Sequence, residues 1–246
     1  MLANWVWLVC FFVTFVVMCF ISMILRYFLI GKSSKHPHND FLDPSQQIIG
    51  LIYGVLLAFV VVLSWQSYTS LSVSIESEAI SLLNIWRNAE TFPTKERNDL
   101  TEAILGYLEA IQTVEWPLMK KGIYPDITSA YSHFWAVMNS LEPQTKAQNA
   151  HFQTMLEQLN DCNSFRRARI LGVSSNTPFI LWSFLLGGAC YLVILTFLYN
   201  VPFKLRIFLA FLQLTTVTSA LYLVSNFNHP FEGSLVPNHK SFLKNV

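Results

Sequence analysis

Charged side chains are missing from four long apolar stretches of this chain, residues 1–25, 44–75, 170–203 and 207–231. A helix needs roughly 20 mostly apolar residues to cross about 30 Å of hydrocarbon, and each stretch is longer than that. The pattern predicts spans near residues 5–30, 47–67, 176–199 and 205–226. Arg26 and Tyr27 mark the end of the first, as a snorkelling base and an interfacial aromatic. Trp65 and Tyr68 mark the end of the second. Asn176 and Pro178 restart a helix for the third, and Pro202, flanked by Lys204 and Arg206, makes the turn into the fourth.

Between the second and third spans the pattern changes to amphipathic. Leu71, Ile75, Ala79, Leu82 and Trp86 recur at spacings of 4, 4, 3 and 4, so the second span should run on without a break to about Ala89, where Pro93 stops it. Leu100, Ile104, Tyr107, Ile111, Val114 and Leu118 form a heptad-like seam, with Thr94 as N-cap and Pro117 as breaker. Asp126 is placed to cap a helix carrying Ile127, Ala130, Tyr131, Phe134, Val137 and Leu141. A last helix over residues 144–171 closes on Gly172. No stretch alternates as a strand would. The expected fold is an all-α membrane protein with four transmembrane helices and a helical extramembrane bundle inserted between spans 2 and 3. Its parts are a first transmembrane hairpin (1–70), the insert (71–175), a second hairpin (176–228) and a short polar tail (229–246).

Composition sharpens this picture. The mean hydropathy is +0.41, and 13% of residues are charged. Nine of the 16 bases and twelve of the 15 acids fall within residues 71–175, so the insert alone has the polarity of a water-facing domain. A net charge of +1 gives no global field toward nucleic acid. The start of the chain lacks a basic n-region and a small-residue cleavage site, so it reads as a retained span, not a signal peptide. Basic residues do not orient the protein: Arg26, Lys32, Lys35, Lys204 and Arg206 oppose Arg87, Arg166, Arg167, Arg169, Lys240 and Lys244. Cys10, Cys19, Cys162 and Cys190 have no metal spacing, and His36, His38 and the other histidines make no zinc pattern. No metal or other cofactor is expected.

Signatures of catalysis are absent: there is no GxSxG, P-loop, GxGxxG or HExxH. The hydroxyls of Ser183, Thr215, Thr216 and Thr218 should bond to their own helix, so the chain is not expected to be an enzyme. Gly50, Gly54 and Ala58 repeat every four residues and would let another backbone approach the second span closely.

Several strings occur together in a telling order: 53–62 (YGVLLAFVVV) followed by Trp65; Glu78, Leu83 and Arg87; Tyr107; 115–122 (EWPLMKKG); 166–171 (RRARIL); Pro178 and Trp182; and 229–233 (HPFEG). The set resembles the bestrophin-like family of bacterial membrane proteins over about residues 39–242. Bestrophins proper are pentameric anion channels with four spans, a cytosolic helical region between spans 2 and 3, and a pore lined by span 2. The resemblance therefore implies a multi-pass protein of the inner membrane that self-associates into a ring and passes small inorganic ions, chloride among them. Past Phe231 the only acid is Glu232, so an acidic calcium clasp is not expected. In a channel, Leu56, Phe59, Val60 and Leu63 would form a hydrophobic constriction, with Ser64, Gln66 and Ser67 hydrating the ion beyond it. Glu76 and Glu78 would flank a vestibule. Glu78 should pair with one of the arginines before span 3, Arg166 or Arg169; an Arg169 facing the vestibule would instead concentrate anions. The rival reading is a non-conducting membrane scaffold or sensor acting through the seam of the insert.

Overall fold

The computed structural model describes residues 39–125, 129–174, 178–198, 201–228 and 230–231, with isolated positions before residue 39. Among these residues every regular element is helical. In chain order they are α1 (Asn39–Asn88), a 3-10 turn (Ala89–Thr91), α2 (Thr94–Ala110), a π-helical turn (Ile111–Glu115), α3 (Trp116–Met119), α4 (Ser129–Asn139), α5 (Lys146–Leu171), a second 3-10 turn (Gly172–Ser174), α6 (Phe179–Leu198) and α7 (Phe203–Asn228). Three of them, α1, α6 and α7, are long and apolar enough to cross a membrane. The predicted first span, the Asp126 cap, His229 and the end of the tail lie outside the described residues.

The chain divides into two compact units, Met1–Trp65 with Thr177–Ser225, and Gln66–Asn176 with Asn226–Val246. In the first, Tyr53, Leu57 and Val60 of α1 pack against Leu185, Ala189 and Leu192 of α6 and Val217, Leu221 and Val224 of α7. The close approach is made at Gly188, where an added Cβ would lie 2.5 Å from the Tyr53 ring. That ring is fixed by its hydroxyl, which donates to the Leu185 carbonyl at 3.0 Å. One polar set ties the same three helices together. Gln46 Nε2 donates to the Thr196 hydroxyl (3.3 Å), and that hydroxyl donates to Gln213 Oε1 (2.7 Å). Several other hydroxyls here bond within their own helix, as Ser183, Thr215 and Thr216 do to the carbonyls four residues earlier.

The second unit has its own core. Leu71, Ile75, Ala79 and Leu82 of α1 meet Leu100, Ile104, Tyr107 and Ile111, with Phe134 and Met138 of α4 and Met155, Leu159 and Cys162 of α5. Phe231, which the sequence reading assigns to a polar tail, is buried in this core with its ring 5.4 Å from Trp116. α5 starts with a capping box in which Thr145 accepts from the Gln148 amide and Gln148 reaches back to the Thr145 amide. Along its rim, α5 is tied to α1 and the turn that follows by Asn84–Gln158, Asn88–His151 and Thr91–Gln148 hydrogen bonds.

Two local expectations need correction. Thr94 is the first residue of α2 and Pro93 holds the cap position, with no side-chain cap. Pro117 does not end the helix. It has no amide proton to give the carbonyl four residues back, and the chain meets that defect with the π turn directly before it, in which the Trp116 amide bonds to the Ile111 carbonyl. Helical structure then continues to Met119. It stops at Gly122, whose φ of 69° suits glycine, with Ile123 N bonded to Leu118 O and Gly122 N to Met119 O.

Candidate functional site

The two units present different candidate features. In the second, four charged side chains gather inside the core. Glu78 comes from α1, Glu115 from the π turn, and Arg166 and Arg169 from neighbouring turns of α5. Arg169 grips Glu78 with two nitrogens, Nε to Oε2 at 2.7 Å and Nη2 to Oε1 at 3.0 Å, and Nη2 also donates to Glu115 Oε2. Arg166 donates through Nε and Nη2 to Glu115 Oε1 at 3.2 and 3.1 Å, and its guanidinium lies 5.4 Å over the Tyr131 ring. Tyr107 completes the set, its hydroxyl donating to Glu78 Oε1 at 2.6 Å. All four carboxylate oxygens therefore receive a donor, and two acids balance two bases. The side chains of Glu78, Glu115 and Arg169 are fully buried.

Burial pulls the Arg169 guanidinium down, but the Glu78 and then the Glu115 carboxylates outweigh it and hold it well above its ordinary value. Burial, reinforced by the Glu78 charge, pushes the Tyr107 hydroxyl well above 10.0, so it stays a donor. Burial likewise raises the Cys162 thiol; it is a neutral core group. Satisfied charges of this kind act as a rigid cross-link between α1, the π turn and α5, and no group of three or more metal-ligating side chains occurs among the described residues.

A tyrosine whose folded pKa is raised contributes stability that is complete below its unfolded value near 10.0 and is lost as the pH climbs above it. Tyr107→Phe removes a hydrogen bond to a charged acceptor and is expected to cost about 1.5–3 kcal/mol. It should also make the alkaline loss of stability shallower. Thermal unfolding of purified protein between pH 7 and 11 checks both; equal melting at neutral pH would show that the hydroxyl contributes nothing.

The sequence-predicted residues divide as follows. Glu78, Arg166 and Arg169 are brought together inside the second unit. Glu76, two residues from Glu78, is exposed. In the first unit, Val60 and Ser64 face inward and are buried, whereas Leu56, Phe59 and Leu63 are exposed, Phe59 at 62%; Ser67, at the start of the second unit, is exposed. The small-residue row is open: Gly54 has nothing within 4 Å of an added Cβ, and Gly50 only Leu192 at 3.9 Å. Ala58 is exposed. The helix contact that does require a missing side chain is at Gly188. Sequence reasoning passed over Glu115 and Tyr107 as members of the charge set. The available signal was position: Glu78 lies three residues after Ile75 and Glu115 four after Ile111, each on a seam of apolar residues.

A family model described as a Bestrophin-like domain matches residues 10–236. No curated protein and no solved structure matches the chain.

Proposed function

The chain belongs to the bestrophin-like family, and on that premise we propose that copies of it assemble around α1 into a membrane channel for small ions. The observation that carries this is the open apolar face of α1, where Leu56, Phe59 and Leu63 are all exposed in the single chain. Wide apolar side chains on one side and Gly54 and Ala58 on the other suit a helix that lines an axis while packing closely on its neighbour. In the full proposal residues 5–30 form a further span, giving four. Residues 71–175 stand outside the inner membrane, and residues 1–70 and 176–228 form the two hairpins.

The anion preference implied by the resemblance depends on bases beside the pathway. Arg166 and Arg169 are both held by carboxylates inside the second unit, so they lend no such preference. The scaffold reading relied on the seam from Leu100 to Leu118. Leu100, Ile104, Tyr107 and Ile111 are buried in that unit's own core, which leaves little of the seam to offer a partner. Purified protein reconstituted in planar bilayers tests the proposal. Discrete ionic currents are expected, and a folded oligomer that passes none would favour the scaffold.

A further inference from the structure

Helical rise brings the loop after α3 to the membrane surface. α2 runs back along α1 from the turn that joins them, and the Tyr107 hydroxyl on Glu78 Oε1 pins the two helices level, each residue thirteen positions from that turn. Helix continues from Tyr107 through the π turn and α3, so Lys120 stands about 15–20 Å farther on, and a similar distance back along α1 from Glu78 reaches Tyr68, the aromatic that marks the end of the second span. A second tether agrees. The Tyr68 ring lies 5.7 Å from that of Phe227, near the end of the membrane-crossing α7. Phe231, at most about 14 Å of chain beyond Phe227, packs on Trp116 at the start of α3.

The residues directly after α3 have the chemistry of the boundary between bilayer and water. Lys120 and Lys121 are exposed and make no ion pair among the described residues. Ile123 and Tyr124 are each 50% exposed. The positive φ of Gly122 and the bond from Ile123 N to Leu118 O hold the backbone in one turn, so two ammonium groups and two apolar side chains are offered together. Single exposed apolar residues are ordinary on any surface; an adjacent pair beside two unpaired lysines, at the level where two spans leave hydrocarbon, matches the snorkelling bases and interfacial aromatics of membrane proteins. We infer that residues 120–124 dock on anionic phospholipid headgroups of the leaflet that α1 and α7 leave near Tyr68 and Phe227. The lysines take the phosphates, and Ile123 and Tyr124 enter the headgroup layer. This contact requires α1 and α7 to cross a membrane and is independent of whether ions pass.

Short-range fluorescence quenching tests it. Ile123→Cys, in a protein whose native cysteines have been replaced, is labelled with bimane and reconstituted in vesicles of mixed phosphatidylcholine and phosphatidylglycerol. A nitroxide quencher at headgroup level is carried by one lipid or by the other. Quenching is expected from both, with the phosphatidylglycerol quencher favoured roughly twenty-fold, at about five-fold per lysine. Adding Lys120→Gln and Lys121→Gln, both at exposed positions, should abolish that preference. Bimane on Asn149→Cys, also exposed and next to the Gln148 side chain that is bonded to the α1–α2 turn, should be quenched by neither. Absence of quenching at position 123, equal quenching by the two lipids, or a preference that survives loss of both lysines would each overturn the inference, and none of these results would touch the channel reading.

Discussion

Replacing Arg169 by leucine is expected to destabilise the second unit by about 3–5 kcal/mol, because the substitution leaves Glu78 and Glu115 buried with too little positive charge. Glu78 would keep only the Tyr107 hydroxyl, and Glu115 only Arg166. The size of the effect comes from desolvated charge left behind, not from the intrinsic worth of the ion pairs, and this gives a second, sharper expectation. A double variant with Glu78→Gln and Arg169→Met removes one acid and one base, leaves Glu115 paired with Arg166, and should recover much of the loss. Arg169→Lys should fall in between, since a lysine keeps the charge but not the fork that spans two carboxylates. Thermal unfolding of the detergent-purified protein, followed by helical circular dichroism, reads all three. A single Arg169→Leu variant that melts with the unaltered protein would mean the carboxylates are not held inside as described.

The second large effect separates two adjacent glycines. At Gly188 an added Cβ would stand 2.5 and 2.7 Å from two carbons of the Tyr53 ring, whereas at Gly187 it would meet nothing within 4 Å. The side chain cannot swing away about χ1 without giving up its hydroxyl bond to Leu185. Gly188→Val should therefore cost about 1–3 kcal/mol by overpacking. Gly187→Ala should be neutral or stabilising by up to about 1 kcal/mol, because glycine is the poorer helix former. Combining Gly188→Val with Tyr53→Leu should restore part of the loss. Equal melting behaviour of the two glycine variants would contradict the packing of α1 on α6.

Much of the helical plan was legible in the sequence, because it depends on the two quantities a sequence displays directly, apolar run length and periodicity. The uninterrupted passage of α1 to Asn88 follows from the lack of any proline or glycine between Gly54 and Pro93. The end of α5 at Leu171 and the bounds of α6 and α7 lie within a few residues of those the pattern predicts. The π turn was not legible, because proline announces a defect in the hydrogen-bond ladder without saying whether the helix stops or bulges. Nor was the partition of α1 into faces: Leu56 and Val60 are equally apolar, and only the positions of α6 and α7 decide that Val60 turns inward. The charge set was half legible. Glu78 and the arginine run at 166–169 stand out against apolar surroundings, but Glu115 is separated from them by so much chain that its place becomes visible only when α2, the π turn and α5 pack.

The claim on which the functional account depends is that the open face of α1 borders the ion path, and thiol modification at Phe59 tests it most directly. Phe59→Cys would be placed in a protein whose native cysteines have been replaced, reconstituted in a planar bilayer, and exposed to a charged, water-soluble methanethiosulfonate during recording. The account predicts that current falls steeply as the reagent reacts, since each adduct puts bulk and charge on the path. A current that persists unchanged after mass spectrometry shows complete labelling of Cys at that position would contradict it.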